Sequence, residues 1–185
     1  CVDLKNSNCL FELETRFKAE KNTPEAFEFL KKIQIELLAL YDSAYEKDHQ
    51  KHQVAFIGRL KQFIEQFPND PIALKSKKRL FGIYFSSKNY TEALPIAEQV
   101  FKIEKNNESA QKMLLSLFEL GKYDVILTDP VYNAFVSPEI MEIKREASLK
   151  SAMINAGKGN FENYETDIRA YLNTKPNDEK AMVVY

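Results

Sequence analysis

The chain has 185 residues, 44% of them hydrophobic and 29% charged, with a formal net charge of −1 at pH 7. That balance is ordinary for a globular fold with a sizeable core, and it lacks the strongly basic character of a nucleic-acid binder. No stretch reaches the roughly 18–20 uninterrupted apolar residues needed to span a bilayer. Residues 1–22 read as an N-terminal tether or cap. In it Leu10, Phe11, Leu13 and Phe17 form either one face of a short helix or an extended segment lying on the first hairpin. The chain starts at Cys1, followed by the polar stretch 2–8. Removal of a bacterial lipoprotein signal peptide leaves Cys first and lipidated, and a fragment boundary falling at Cys is the other reading. Pairing of Cys1 with Cys9 is a further alternative, since two cysteines define no disulfide framework.

From residue 23 to 185 the pattern is helical throughout. Thr23 and Pro24 open a helix whose Phe27, Leu30, Ile33, Leu37, Leu38 and Tyr41 recur at three- and four-residue steps, predicting helix to about Lys47. A polar turn over residues 46–53 leads to a second helix, roughly 52–67, that stops at Pro68. Asn69 or Asp70 caps a third, entered at Pro71 and broken at Ser87-Lys88-Asn89, and Tyr90 to Ile103 returns with Ala93, Ala97, Val100 and Ile103 on one stripe. Another helix runs over about 108–120 to Gly121. Asp129-Pro130 then cuts the next helix short, because Pro lacks an amide donor and clashes with the preceding turn. Ser137-Pro138 restarts the pattern over 138–156, and Phe161 to Asn173 return. The segment 178–185 reads as a short apolar cover on the last hairpin or a truncated further repeat.

Three stop signals punctuate this order: Phe67-Pro68-Asn69-Asp70, Glu104-Lys105-Asn106-Asn107 and Lys175-Pro176-Asn177-Asp178. They lie 37 residues apart from Pro68 to Lys105 and 71 apart from Lys105 to Pro176, about one and two units of a helical-hairpin repeat. The stretch from Leu74 to Asn107 resembles the tetratricopeptide repeat family, with Leu80, Tyr84, Tyr90, Ala93 and Ala97 at family positions. Phe81, Lys88 and Lys105 stand where the family has Gly, Gly and Pro. The stretch from Arg145 to Asp178 adds Ala152, Gly159, Phe161 and Pro176, with Tyr164 large for its position. The resemblance implies an all-α, right-handed superhelical solenoid of about four helical hairpins, in which these residues pack the core.

The resemblance also implies a protein-interaction module, with the first helix of each pair lining a groove. Carried over residue by residue, Lys75, Lys78, Arg79 and Phe85 face that groove, and Lys75 with Arg79 resembles a basic pair gripping a peptide carboxylate. In the preceding repeat Tyr41, Asp42 and Tyr45 stand where such a clamp has Lys and Asn. Tyr41, Tyr45 and Phe85 are therefore read as an aromatic contact surface. Val131, Tyr132 and Phe135, beside the break at Asp129-Pro130, are read as a second place where a partner docks.

No phosphate loop, nucleophile elbow or Cys-x-x-Cys is present, and His49 and His52 beside Glu46 and Asp48 do not match a metal-hydrolase pattern. The expected protein is thus no enzyme and takes no cofactor or metal. It binds a protein or peptide and no nucleic acid. Its expected setting is the bacterial cell envelope, reached only through a lipid on Cys1, where similar lipoproteins act as assembly factors or toxin-neutralising immunity proteins. The alternatives are a fragment of a longer cytoplasmic scaffold, and an envelope accessory with a small-molecule or peptidoglycan pocket.

Overall fold

The computed structural model describes residues 7–19 and 23–176, so the expectations placed on Cys1 and on residues 178–185 lie outside the described residues. Among the described residues 85% are helical and none is in a strand, so the fold is all-α. None of these helices is long and apolar enough to cross a membrane. Contacts divide the chain into two compact units, Cys1–Ile83 and Tyr84–Tyr185.

The first unit opens with α1 (Ser7–Ala19), α2 (Pro24–Lys47) and α3 (His49–Gln66), packed in that order, and α4 (Pro71–Ser86) begins in it. The open choice for Leu10, Phe11, Leu13 and Phe17 resolves as helix: Leu10 is buried with Ile33 and Leu37, and the others pack around them. Thr23 caps α2, its hydroxyl accepting from the Ala26 amide at 3.2 Å, with Pro24 at the first helical position. The polar turn expected over 46–53 contracts to Asp48. Its carboxylate accepts from the Lys51 amide at 3.0 Å, so α3 starts at His49 instead of near residue 52. At the first stop signal Asp70 caps α4 by accepting from the Ile72 amide at 2.9 Å, while Phe67 turns inward against Phe63 and Phe27, each ring centre 5.0 Å away.

The second unit contains α5 (Tyr90–Glu104), α6 (Asn107–Glu119), α7 (Tyr123–Thr128), a 3-10 turn (Pro130–Ala134), α8 (Pro138–Gly157) and α9 (Phe161–Leu172). Within it α5 packs on α6, α6 on α7 and α8, α7 on α8, and α8 on α9. Ala93, Ala97, Ala110, Ala147 and Ala152 are each at most 1% exposed. Small side chains at these positions let helix backbones approach closely. Asn106 and Ser109 close a reciprocal capping box at the start of α6.

Ile103 and Phe161, assigned to packing positions by sequence, are on the surface. Ile103 is 55% exposed. At about 100° per residue it stands roughly 80° from the line through Ala93, Ala97 and Val100. Phe161, in the first turn of α9, is 69% exposed, and the α8–α9 core is made instead by Leu149, Ala152, Ile168 and Tyr171.

Lys88 and Lys105 take φ of 58° and 45°, the left-handed region that Gly121 and Gly159 occupy after α6 and α8. An L-residue is strained there by its Cβ. Lys88→Gly is therefore expected to stabilise the protein by about 0.5–1 kcal/mol, read as a raised midpoint in urea unfolding. An unchanged or lowered midpoint would show that the Lys88 backbone is not strained.

Candidate functional site

The residues singled out in the first unit gather around Arg79. Its guanidinium donates to Asp42 Oδ1 at 2.7 and 3.0 Å, donates to Glu46, and lies 5.3 Å from the Tyr45 ring centre and 5.7 Å from that of Phe56. Burial disfavours the charge on Arg79, but Glu46 and Asp42 more than offset it, and Arg79 in turn holds the Glu46 carboxyl below the usual range. Arg79 is thus anchored by α2 carboxylates within its own unit. Lys75 is exposed one turn away, and both line a depression of about 240 Å3 with Asp42 and Phe56. Lys78 is half-buried.

Tyr45 is buried, its ring against His49 and Phe56 at 4.4 and 5.5 Å, so it belongs to the interior and not to a contact surface. Tyr41 is half-buried and shares with Phe11 the guanidinium of Arg59, 5.3 Å from each ring centre. His49 sits 3.8 Å from Glu46, and among the described residues no group of three or more His, Cys, Asp or Glu is placed to hold a metal. In the second unit Phe85 packs edge-on against Tyr90 at 5.2 Å.

A polar cluster that the sequence reading missed lies in the first unit, beside Phe11 and Tyr41. Glu14, 4% exposed, accepts from Arg59 at 2.7 and 2.8 Å, from Gln62 at 3.0 Å and from Lys18 at 2.8 Å. Gln34, 3% exposed, donates to Glu14 at 3.5 Å and to Gln66 at 2.5 Å. The available signal was positional. Glu14 falls inside the stripe of Leu10, Leu13 and Phe17, and Gln34 inside that of Leu30, Ile33 and Leu37. A polar residue in the middle of an apolar stripe must find a partner when buried.

The break at Asp129-Pro130 builds a ledge. The Asp129 carboxylate accepts from the Val131 amide at 2.9 Å and starts the 3-10 turn. Lys144 donates to the Tyr132 carbonyl at 2.8 Å, and the Asn107 side chain donates to the Val136 carbonyl at 2.9 Å. Burial lowers the Lys144 pKa. Tyr132 is buried, its ring centre 6.4 Å from that of Phe101, and Phe135 meets Phe101 edge-on at 5.1 Å. Burial pushes the Tyr132 phenol up, with Asp129 and Glu98 adding to the effect. Val131 and Val136, by contrast, are 50% and 64% exposed. The three residues expected to act together thus divide: Tyr132 anchors, Phe135 braces and Val131 faces solvent, joined by Val136.

A cleft of about 550 Å3 opens in the same unit, lined by Tyr123, Asp124 and Leu127 of α7, by a stripe of α8, and by Asn163, Thr166 and Asp167 of α9. Asp167 Oδ2 accepts from the Ser151 hydroxyl at 2.5 Å and from the Asn155 amide at 3.0 Å. Compared with protein-family models and with curated proteins, the sequence matches none.

Proposed function

We propose that this chain is a helical-hairpin scaffold of the superhelical, tetratricopeptide-like kind that works by binding a protein partner, and that its contact surface includes the ledge at residues 130–136. The observation that carries the reading is the pair of exposed valines, Val131 in the 3-10 turn and Val136 just after it, on a segment tied down at both ends. β-branched side chains are stiff, and a segment already held in shape loses little freedom on binding. Apolar side chains presented this way suit the core of an interface. In the first unit the exposed Lys75 is the better contact candidate, since Tyr45 is interior and the Arg79 charge is met by Asp42 and Glu46.

The same reading places the protein outside the cytoplasm, in a cell envelope. Cys9 is buried and disulfide-bonded, and disulfides persist in oxidising compartments. Immobilised wild-type protein and the Val131→Asp variant, exposed to the same envelope extract, test the proposal. A partner retained by the first and lost from the second supports it. Equal retention by both removes the ledge from the interface.

A further inference from the structure

We propose that the cleft among α7, α8 and α9 binds a free α-amino acid or a similarly short zwitterion, with Asp167 receiving the ammonium group and Lys158 the carboxylate. The cleft and the ledge share no lining residue. Ser151 and Asn155 of α8 and Lys158, the residue that caps its C-terminal end, recur at steps of four and three, so they form one stripe along the cleft wall. Asp167 reaches across from α9 to the first two, and both donors use Oδ2. The carboxylate is therefore oriented before any ligand arrives, with Oδ1 left to accept from an ammonium group. Lys158 lies one turn beyond Asn155, which holds Asp167, so the ammonium of Lys158 and the Asp167 carboxylate line the same end of the cleft, as a ligand with opposite charges a few bonds apart requires.

Charge and shape agree with this assignment. Asp124 and Lys158 are exposed at the cleft's lining, and among the described residues neither makes an ion pair. Two carboxylates against one ammonium leave the lining negative, which favours a ligand carrying a positive group over a simple anion. Leu127 and Ile154 supply an apolar wall for a side chain. The volume of about 550 Å3 lies within the range of small-molecule sites. A purely structural Asp167, tying α8 to α9, would account for its two hydrogen bonds, and the leucine titration below separates that role from ligand binding.

Titration of the full chain, followed by NMR chemical shifts, tests the assignment with four probes. These are L-leucine, L-leucinamide (no carboxylate), N-acetyl-L-leucine (no ammonium) and leucylglycine, whose termini stand further apart. L-leucine is expected to bind saturably and each blocked analogue about tenfold more weakly, the loss of one charge-assisted contact. Leucylglycine binding as tightly as leucine would overturn the short-zwitterion assignment, and weaker binding of leucylglycine supports it. Lys158→Gln should reduce leucine to the level of leucinamide while leaving leucinamide unchanged. Asp167→Asn, which keeps an acceptor for Ser151 and Asn155, should weaken leucine about tenfold with an unchanged circular dichroism spectrum. If Asp167→Asn unfolds, the exposed Lys158→Gln carries the test alone. Absence of saturable leucine binding at millimolar concentration, or equal binding of leucine by wild type and Lys158→Gln, overturns the proposal.

Discussion

Replacing Glu14 with Ala is expected to destabilise the first unit by about 3 kcal/mol, the scale for breaking a buried charge pair from one side. The variant would leave Arg59 without the carboxylate it meets at 2.7 and 2.8 Å, and would leave Gln62 and Gln34 without an acceptor they share. Denaturant unfolding followed by circular dichroism measures the loss, and a shift below about 1 kcal/mol would show that the network contributes little. The double variant Glu14→Met, Arg59→Met should recover much of it, because removing both charges leaves neither unpaired. The pH dependence follows from the same contacts. Burial alone would push the Glu14 carboxyl up, but Arg59 and Lys18 outweigh it and hold the pKa below its ordinary value of about 4.3. A carboxyl depressed in the folded state contributes stability above its unfolded pKa and loses that contribution as pH falls through the folded value. The gap between wild type and Glu14→Ala should therefore be full at neutral pH and shrink as acid protonates Glu14.

The Glu14 cluster also shows where reading the sequence stops. Thr23-Pro24, Asp129-Pro130, Ser137-Pro138 and the glycines after α6 and α8 fix helix ends through local chemistry, and the structure places ends there. Apolar spacing likewise identifies Leu30, Ile33 and Leu37, or Ala93, Ala97 and Val100, as buried. What spacing cannot supply is which stripe meets which. Glu14, Gln34 and Arg59 are 20 and 25 residues apart in turn, and only the packing of α1 on α2 and α2 on α3 makes them neighbours. Arg79 illustrates the same limit. One turn from Lys75 it resembles half of an anion clamp, yet the Asp42 and Glu46 that hold it are 37 and 33 residues away. Val131, Tyr132 and Phe135 lie within five residues and are all bulky, so nothing local distinguishes the anchor from the exposed residue.

That distinction gives the second large expected effect. Tyr132→Ala should destabilise the second unit by about 2–4 kcal/mol, since it removes a nearly buried aromatic packed near Phe101 and leaves a cavity under the 3-10 turn. The Lys144 bond to residue 132 is made to the main-chain carbonyl, so the substitution tests the ring and not that tie. Val131→Asp, two residues from Asp129 and half exposed, should change stability by no more than about 0.5 kcal/mol. The partner-binding reading requires the opposite order for affinity: loss with Val131→Asp at full helical content, and loss with Tyr132→Ala only in proportion to unfolding. Thermal unfolding of both variants beside their binding to the retained partner separates the two effects. Should Val131→Asp unfold the unit as Tyr132→Ala does, the ledge is core throughout. Its exposed valines would then stabilise the fold and not an interface.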